Sequence, residues 1–372
     1  MKFSISRETL LKNLTYMQSV VEKRTSIAIL SNVRLTAKDN KLETTATDND
    51  ITVQGSAEAF VETEGVTTVS AHKLYEIIRK TPEGVMVEVE VTPEGDRMSV
   101  KAGKAKFSLA CLNADAFPDM TKLDDGCTFK INGKDLKRAL TKAIFSASTE
   151  DTRQYLNGIY MHVTTCKDGN PCLRFVATDG HRLSQVDLAL PEGAEDVTAT
   201  ILPRKTVGEL KALCDEGTDL TLRVSDKKIQ AEAGSLTMTS KVIDGTFPDY
   251  SRVIPTDNTM EMDVSRQLLL QAVDRVAILS HEKSRSIKFT IDGANLVISA
   301  NNPDQENAME ELKVEYDADR VDVGFNARYV ADIGGQIEGD DIQFFFKDSA
   351  SPVLVKDPKD TSSLFVVMPM RI

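Results

Sequence analysis

Asp179 and His181 come closest to a general acid–base pair in this 372-residue chain, two positions apart in Ala177-Thr178-Asp179-Gly180-His181-Arg182-Leu183. A hydrolase built on them needs a nucleophile or a metal within reach. His72, His162 and His281 stand in unlike contexts, and no HExxH, GxSxG or P-loop pattern is present. A lone histidine in a turn more often serves structure or touches a peptide, so hydrolysis is the weaker reading. The five cysteines (Cys111, Cys127, Cys166, Cys172, Cys214) are odd in number and show no CxxC spacing. That pattern predicts reduced thiols in a cytoplasm, with neither a disulfide framework nor a zinc site.

The stronger chemistry is electrostatic. The chain carries a net charge of −12, which on its own argues against a polyanionic partner. Its distribution reverses that inference. Six segments read as helices: Arg7–Val21, Ala71–Thr81, Gly133–Ser148, Pro203–Cys214, Val264–Ser280 and Asn326–Ile337. Five are net positive and the sixth is neutral; together they carry +9, leaving −21 on strands and loops. Lysine and arginine are ordinary solubilising choices on any one helix. Shared across a chain this acidic, they predict a basic surface set in an acidic shell, suited to holding a polyanion in one place.

The elements behind those charges repeat. Lys2-Phe3-Ser4-Ile5, Phe129-Lys130-Ile131-Asn132 and Met260-Glu261-Met262-Asp263 each open a segment with an alternating strand, spaced 126 and 131 residues apart. Each strand precedes an amphipathic helix, and the closing turns echo one another at 46–50, 177–181 and 300–304. Phe117-Pro118-Asp119 and Phe247-Pro248-Asp249 recur 130 residues apart. A repeat this long buries its own core, which predicts three domains of one fold. In the third segment Leu136, Ala139, Leu140, Ala143 and Ile144 share one helical face, with Lys134, Lys137, Arg138 and Lys142 opposite. Ser70 is the expected N-cap of the second helix and Pro203 an early residue of the fourth. Gly334-Gly335 should soften the sixth. Period-two strands at 85–91, 98–102, 220–224, 229–233 and 342–346, joined by Gly/Asp/Asn/Pro turns, complete an α+β plan with helices on one face of antiparallel sheets.

At 41% apolar and 27% charged residues the composition is that of a soluble globular protein. No apolar run approaches membrane-spanning length, and the N-terminus lacks a signal-peptide core.

Triplication and particular strings converge on one family. The chain resembles the bacterial DNA polymerase III beta subunit, the sliding-clamp family, along its whole length. The strings are Met1-Lys2-Phe3, Tyr155-Leu156-Asn157-Gly158, Ala177 to Leu183, Pro203-Arg204-Lys205, Phe247-Pro248-Asp249-Tyr250, Ala300-Asn301-Asn302-Pro303 and Val367-Met368-Pro369-Met370-Arg371. The resemblance implies clamp domains at 1–125, 126–257 and 258–372, and a head-to-tail homodimer closing a six-domain ring around duplex DNA. It implies no catalysis and no cofactor. The implied partners are DNA, the replicative polymerase alpha subunit, the clamp loader, and other polymerases and repair proteins carrying a clamp-binding peptide. A protein-binding adaptor that does not encircle DNA is the alternative, and the helix charge bias opposes it.

Three sets of residues follow from the resemblance. Sequence-independent phosphate contacts fall to Arg24, Lys73, Arg79, Lys80, Lys134, Lys137, Arg138, Lys142, Tyr155, Arg204, Lys205, Arg266 and Arg275, with Lys12 and Lys211 beside them. Glutamate at 137, 138 and 142 should impair retention on DNA. Gln154 replaces the first of two tyrosines common in the family, and the acidic loop 148–151 weakens the expected contact at Tyr155. A pocket for a short peptide with glutamine and apolar anchors implicates Leu156, Thr178, Gly180, His181, Arg182, Leu183, Pro248, Arg252, Val253, Val366, Met368, Pro369, Met370 and Arg371. Soft methionines and a close-approach glycine suit such recognition; the same C-terminal stretch also reads as an edge strand closing the last sheet. A dimer seam pairs Phe107 and Leu109 with Ile278 and Leu279. Lys73, Arg97, Lys104 and Lys106 flank it on one side, and Asp304, Glu306, Glu310 and Glu311 on the other.

Overall fold

The computed structural model describes residues 1–22, 25–118, 123, 125–215 and 219–371. Six α-helices occur among them: α1 Arg7–Val20, α2 Ala71–Lys80, α3 Gly133–Ile144, α4 Arg204–Leu213, α5 Arg266–Ala277 and α6 Ala327–Gly334. Each stops one to four residues before the sequence pattern does. Ser6 caps α1 by accepting the Thr9 N–H at 3.2 Å, and Asn326 caps α6 by accepting that of Arg328 at 2.9 Å. Ser70 gives α2 no side-chain cap; it closes the preceding strand instead, paired with Asn32. Pro203 likewise ends a strand, and α4 begins after it. The two glycines do not soften the interior of α6, because the helix ends on them. Any Cβ at Gly334 would stand 2.6 Å from Leu270 Cδ2, so close packing accounts for the first.

The chain forms two compact units, and its central third contributes to both. Unit 1 comprises Met1–Lys137, Pro191–Thr198 and Lys205–Val242. It holds a thirteen-stranded antiparallel sheet, running in order through 127–132, 219–224, 228–233, 236–241, 51–58, 41–47, 32–38, 65–70, 105–112, 97–102, 86–91, 2–6 and 60–63. Leu10, Leu14, Met17 and Val20, spaced for one helical face, bury the inner side of α1 against this sheet. The strand 105–112 is paired along 105–110 on one side only, since its second neighbour meets it just at Cys111 and Leu112.

Unit 2 comprises Arg138–Leu190, Ala199–Arg204 and Ile243–Ile372. A nine-stranded sheet runs through 200–203, 158–165, 171–178, 182–189, 360–367, 353–357, 341–346, 260–265 and 315–316. A four-stranded sheet runs through 307–313, 295–301, 286–292 and 321–326, leaving 307–313 at its edge. Phe289, Phe325, Phe344, Phe346 and Phe365 fill the core beneath α5 and α6. The strand 360–367 is not an edge strand: it lies between 182–189 and 353–357.

One expectation about the cysteines fails. Cys166 and Cys172 form a disulfide, with Cα atoms 5.9 Å apart. Parity and CxxC spacing are blind to the cause. Antiparallel register sets Thr164 opposite Cys172, so Cys166, two residues on, is its same-face diagonal neighbour across the hairpin. Cys111, Cys127 and Cys214 are unbridged, and burial pushes the Cys214 thiol up to about 11.

Candidate peptide groove and basic helix faces

In unit 2 the turn Thr178-Asp179-Gly180-His181 links two long strands and fixes one wall of a groove. Gly180 takes φ +89°, a conformation open to glycine at no steric cost. The Asp179 carboxylate closes the turn, accepting the N–H groups of His181 at 2.9 Å and Arg182 at 3.0 Å through one oxygen and Arg182 Nε at 3.1 Å through the other. The His181 ring lies against Tyr329, centroids 6.3 Å apart. Asp179 and His181 are thus occupied as turn and stacking groups rather than aligned as an acid–base pair.

Arg182 is buried, at 8% exposure, which decides its role. Its guanidinium donates to Asp332 at 2.6 Å and to the Phe145 carbonyl at 2.7 Å, and sits 4.5 Å from the Tyr329 ring centroid. Those bonds absorb its polar end, so Arg182 offers the groove its hydrocarbon stem and the charge anchors the wall.

The groove encloses about 160 Å³. Leu156, Thr178, Gly180, Arg182, Leu183, Pro248, Val253, Val366 and Met368 line it, as do Asp249 and Tyr250, which the sequence reading left out. Leu156, Leu183 and Val366 form a buried apolar floor, continuous with Val176, Ile201 and Phe247. Tyr250 closes the Phe247-Pro248-Asp249-Tyr250 string, two residues past Pro248, and that string is the signal for it. Its hydroxyl stands 2.9 Å from His162 Nε2. His162 Nδ1 faces the Val163 carbonyl at 3.2 Å, so Nδ1 carries the proton and Nε2 accepts from Tyr250. Burial lowers the His162 pKa and favours that neutral form.

Five expected pocket residues are not in the lining. His181 is on Tyr329, and Arg252 is exposed and paired with Asp249 at 2.8 Å. Met370 bonds back to Gly324, carrying Pro369 and Arg371 along the last sheet instead.

The basic residues divide into two groups. Among the described residues Lys73 and Lys134 are exposed and outside any ion pair, and Lys80 reaches Glu76 only at 3.7 Å. Eight others are engaged. Arg79 bonds Glu76 at 2.8 Å, Lys137 bonds Asp215 at 2.5 Å, and Lys205 holds Asp48 and the Val20 carbonyl. Arg204 donates to the Ala147 carbonyl at 2.6 Å; burial, and then Arg182, lower its pKa. Arg266 donates to the Gly334 carbonyl at 2.9 Å, and Arg275 grips Glu310 at 2.5 and 3.0 Å. Lys211 is half-buried, while Lys12 and Tyr155 are exposed. Arg24 lies outside the described residues.

Lys142 corrects the helical-wheel reading outright. It is buried, bonding Asp360 at 2.8 Å and Glu338 at 2.9 Å, and Arg138 joins the same two carboxylates. A wheel shows only a helix's own faces; here α3 turns Arg138 and Lys142 onto Asp360, the first residue of the strand 360–367, and onto Glu338, just ahead of the strand 341–346. Burial works to raise the Asp360 carboxyl, but bonds from Lys142, Ser362 and Ser363 outweigh it and hold the group well below the usual carboxylate range.

At the expected seam, Phe107 and Leu109 are half-buried on the strand 105–112, with Lys104 and Lys106 exposed beside them. In unit 2, Ile278 is 77% exposed, Leu279 is half-buried, and Asp304 and Glu306 are exposed on the turn before the edge strand. Glu310, expected as a counterpart across the seam, is committed to Arg275 within the chain.

Repeated α+β domains on long antiparallel sheets, with basic helices and an apolar groove, define a DNA-clamp protein. Models of the DNA polymerase III beta subunit match in three consecutive pieces: the N-terminal domain over residues 1–121, the central domain over 130–249 and the C-terminal domain over 251–371. The chain is 43% identical to the beta sliding clamp of Caulobacter vibrioides and 36% identical to that of Escherichia coli K12, with all of each chain covered. The solved C. crescentus beta sliding clamp superposes with a TM-score of 0.96 at 43% identity over 100% of this chain and 99% of that one. A DnaN sliding clamp from Bartonella birtlesii, solved bound to griselimycin, gives 0.96 at 40% identity over both whole chains. The chain belongs to the DNA polymerase III beta subunit family and is a DNA sliding clamp, a processivity factor of replication.

Proposed function

We propose that this clamp works as a head-to-tail homodimer closed around duplex DNA, and that the unit 2 groove tethers its clients. The apolar floor of Leu156, Leu183 and Val366 beneath the rim of Val253, Met368 and Tyr250 carries the groove reading. Such a floor takes the apolar anchors of a short linear peptide, and the few polar groups at its edge orient a glutamine. The clients are then the polymerase alpha subunit, the clamp loader, and other polymerases and repair proteins carrying that peptide. The protein itself performs no catalysis. The family matches over 1–121, 130–249 and 251–371 support three domains, which we set at 1–125, 126–257 and 258–372. Residence in the cytoplasm belongs to the same reading; among the described residues no helix is long and apolar enough to cross a membrane.

Two incomplete edges support the dimer. The strand 105–112 in unit 1 and the strand 307–313 in unit 2 each present unpaired backbone, and a second copy can pair them reciprocally. Phe107 and Leu109 then meet the partner copy's apolar pair at 278 and 279. Phosphate contact falls first to Lys73, Lys80 and Lys134, whose ammonium groups are available; Arg79, Lys137, Arg138, Lys142, Arg204, Lys205, Arg266 and Arg275 would have to exchange an existing partner.

Light scattering should give twice the chain mass. Retention on a nicked circular plasmid, lost when the circle is linearised, tests encirclement. Binding to circular and linear DNA alike would exclude it. Anisotropy of a labelled clamp-motif peptide tests the groove.

A further inference from the structure

Unit 2 carries a second cleft, of about 760 Å³, around the end of the hairpin 158–178. The Cys166–Cys172 pair, Lys167, Gln185, Asp187 and Lys356 lie along it. The two residues differ in access: Cys166 is half-buried, whereas Cys172 is 2% exposed. Cys166 Sγ stands 3.2 Å from Asp187 Oδ2. That carboxylate is fixed by Arg174, at 2.6 and 2.8 Å, and by Gln185 at 3.3 Å. The loop is held by its own backbone, with Cys166 N–H donating to Asn170 O at 2.8 Å and Gly169 N–H to Cys166 O at 3.0 Å. Asp168 ties in Asn170 through two further bonds. The hairpin therefore keeps the two cysteines adjacent whether or not the sulfurs are joined.

We propose that Cys166 and Cys172 form a reversible thiol–disulfide site that exchanges with a low-molecular-weight thiol couple of the glutathione class. In the reduced state the Cys166 S–H donates to Asp187, a bond the disulfide cannot make. In the oxidising direction the Cys166 thiolate attacks a small disulfide RSSR, forming Cys166 Sγ–SR and releasing RS⁻. The buried Cys172 thiolate then attacks Cys166 Sγ, closes the intrachain bond and expels the second RS⁻. Two electrons pass from the cysteines to RSSR, and each RS⁻ takes up a proton equivalent to the one its cysteine gave up. Reduction runs the same steps backwards, beginning at the accessible Cys166. Cys166 is the exchanging sulfur and Cys172 the resolving one.

The test uses the full-length protein, reduced, freed of reductant, treated with oxidised glutathione, alkylated and mapped by mass spectrometry. Wild type should close the 166–172 bond, keep almost no glutathione there, and recover both thiols with dithiothreitol. C172S should retain at least about tenfold more glutathione on Cys166 than wild type, because nothing resolves the adduct. C166S should carry about tenfold less on Cys172 than C172S carries on Cys166, because the buried sulfur is not reached. Equal adducts in the two variants, or two free thiols in oxidised wild type, would overturn the proposal. One equivalent of Zn²⁺ added to the reduced protein should leave both thiols open to alkylation, since the Arg174 guanidinium on Asp187 opposes a cation. Protection of both would instead make the pair a metal site.

Discussion

The chain builds one kind of strand junction twice with different side chains, and the unit 2 copy carries the groove. In unit 1 the strand 51–58 pairs with 236–241; in unit 2 the strand 182–189 pairs with 360–367. Register is the same in both. Ile51 faces Ser240 and Arg182 faces Val367, while the N–H of Lys241 bonds Asp50 and that of Met368 bonds His181. The preceding turns also agree, with Asp48 and Asp179 each accepting two backbone N–H groups. The side chains part company. Where unit 2 has Leu183, Val366 and Met368, unit 1 has Thr52, Thr239 and Lys241. Thr52 bonds Thr47 at 2.8 Å, Gln230 bonds Thr239 at 3.3 Å, and Lys241 pairs with Asp50 at 2.9 Å. Polar side chains already bonded to neighbours occupy the first junction; apolar ones line the groove at the second and suit an apolar ligand.

The anchoring differs as sharply. Ile51 is a buried apolar residue, whereas Arg182, its counterpart, is a buried cation held by Asp179, Asp332 and the Phe145 carbonyl. Copying unit 1 into unit 2 with Arg182→Ile strands those acceptors and should cost about 3–5 kcal/mol, the usual penalty for removing one side of a buried pair. Urea unfolding followed by circular dichroism measures it, and a midpoint equal to wild type would show that the cation anchors nothing.

Closing the groove is the next test. Leu183→Thr combined with Met368→Lys gives the second junction the first one's chemistry and removes two apolar anchors worth about 1.5 kcal/mol each, so affinity for a clamp-motif peptide should fall about 100-fold. Undiminished affinity in the folded variant would break the link between apolar lining and peptide binding.

Acid separates the junctions a third way. Unit 1 packs Leu236 and Asn13 of α1 against Gly55, while unit 2 sets Asp360, bonded by Ser363, toward Lys142 of α3. Asp360 has a depressed folded-state pKa, so its contribution is present above the unfolded value of about 3.9 and is lost as pH falls through the folded one. Wild-type stability should therefore decline below about pH 5, and Asp360→Asn should flatten that decline while lowering stability at pH 7 by about 2 kcal/mol. Equal acid slopes for both proteins would remove Asp360 as the cause. Lys142→Met should act through this same network and leave the salt dependence of DNA binding unchanged. Lys134→Glu, on the same helix but exposed, should reduce the log–log salt slope by about 1. Smallest of all, Lys241→Met removes a surface ion pair and should alter stability by no more than about 0.5 kcal/mol, without opening a groove while Thr52 and Thr239 remain.

Much of this was legible in the sequence. Alternation and helical periodicity are local, so the six helices and the threefold plan could be read directly, and the strings around Leu183 and Met368 marked the groove's wall. Residue pairing across long separations could not be read. Lys142 looks exposed on a wheel because the wheel omits Asp360, 218 residues away. Arg182 looks like a ligand contact until Asp332 and Phe145 claim it, and Cys166 and Cys172 look like reduced thiols until hairpin register makes them neighbours. Amino-acid order alone determined the repeat, the helices, the charge bias and the family, because each is carried by residues near one another in the chain. Tertiary structure alone decided which charges are spent on intramolecular partners and which residues come together to line the groove, because electrostatics and burial depend on distance in space.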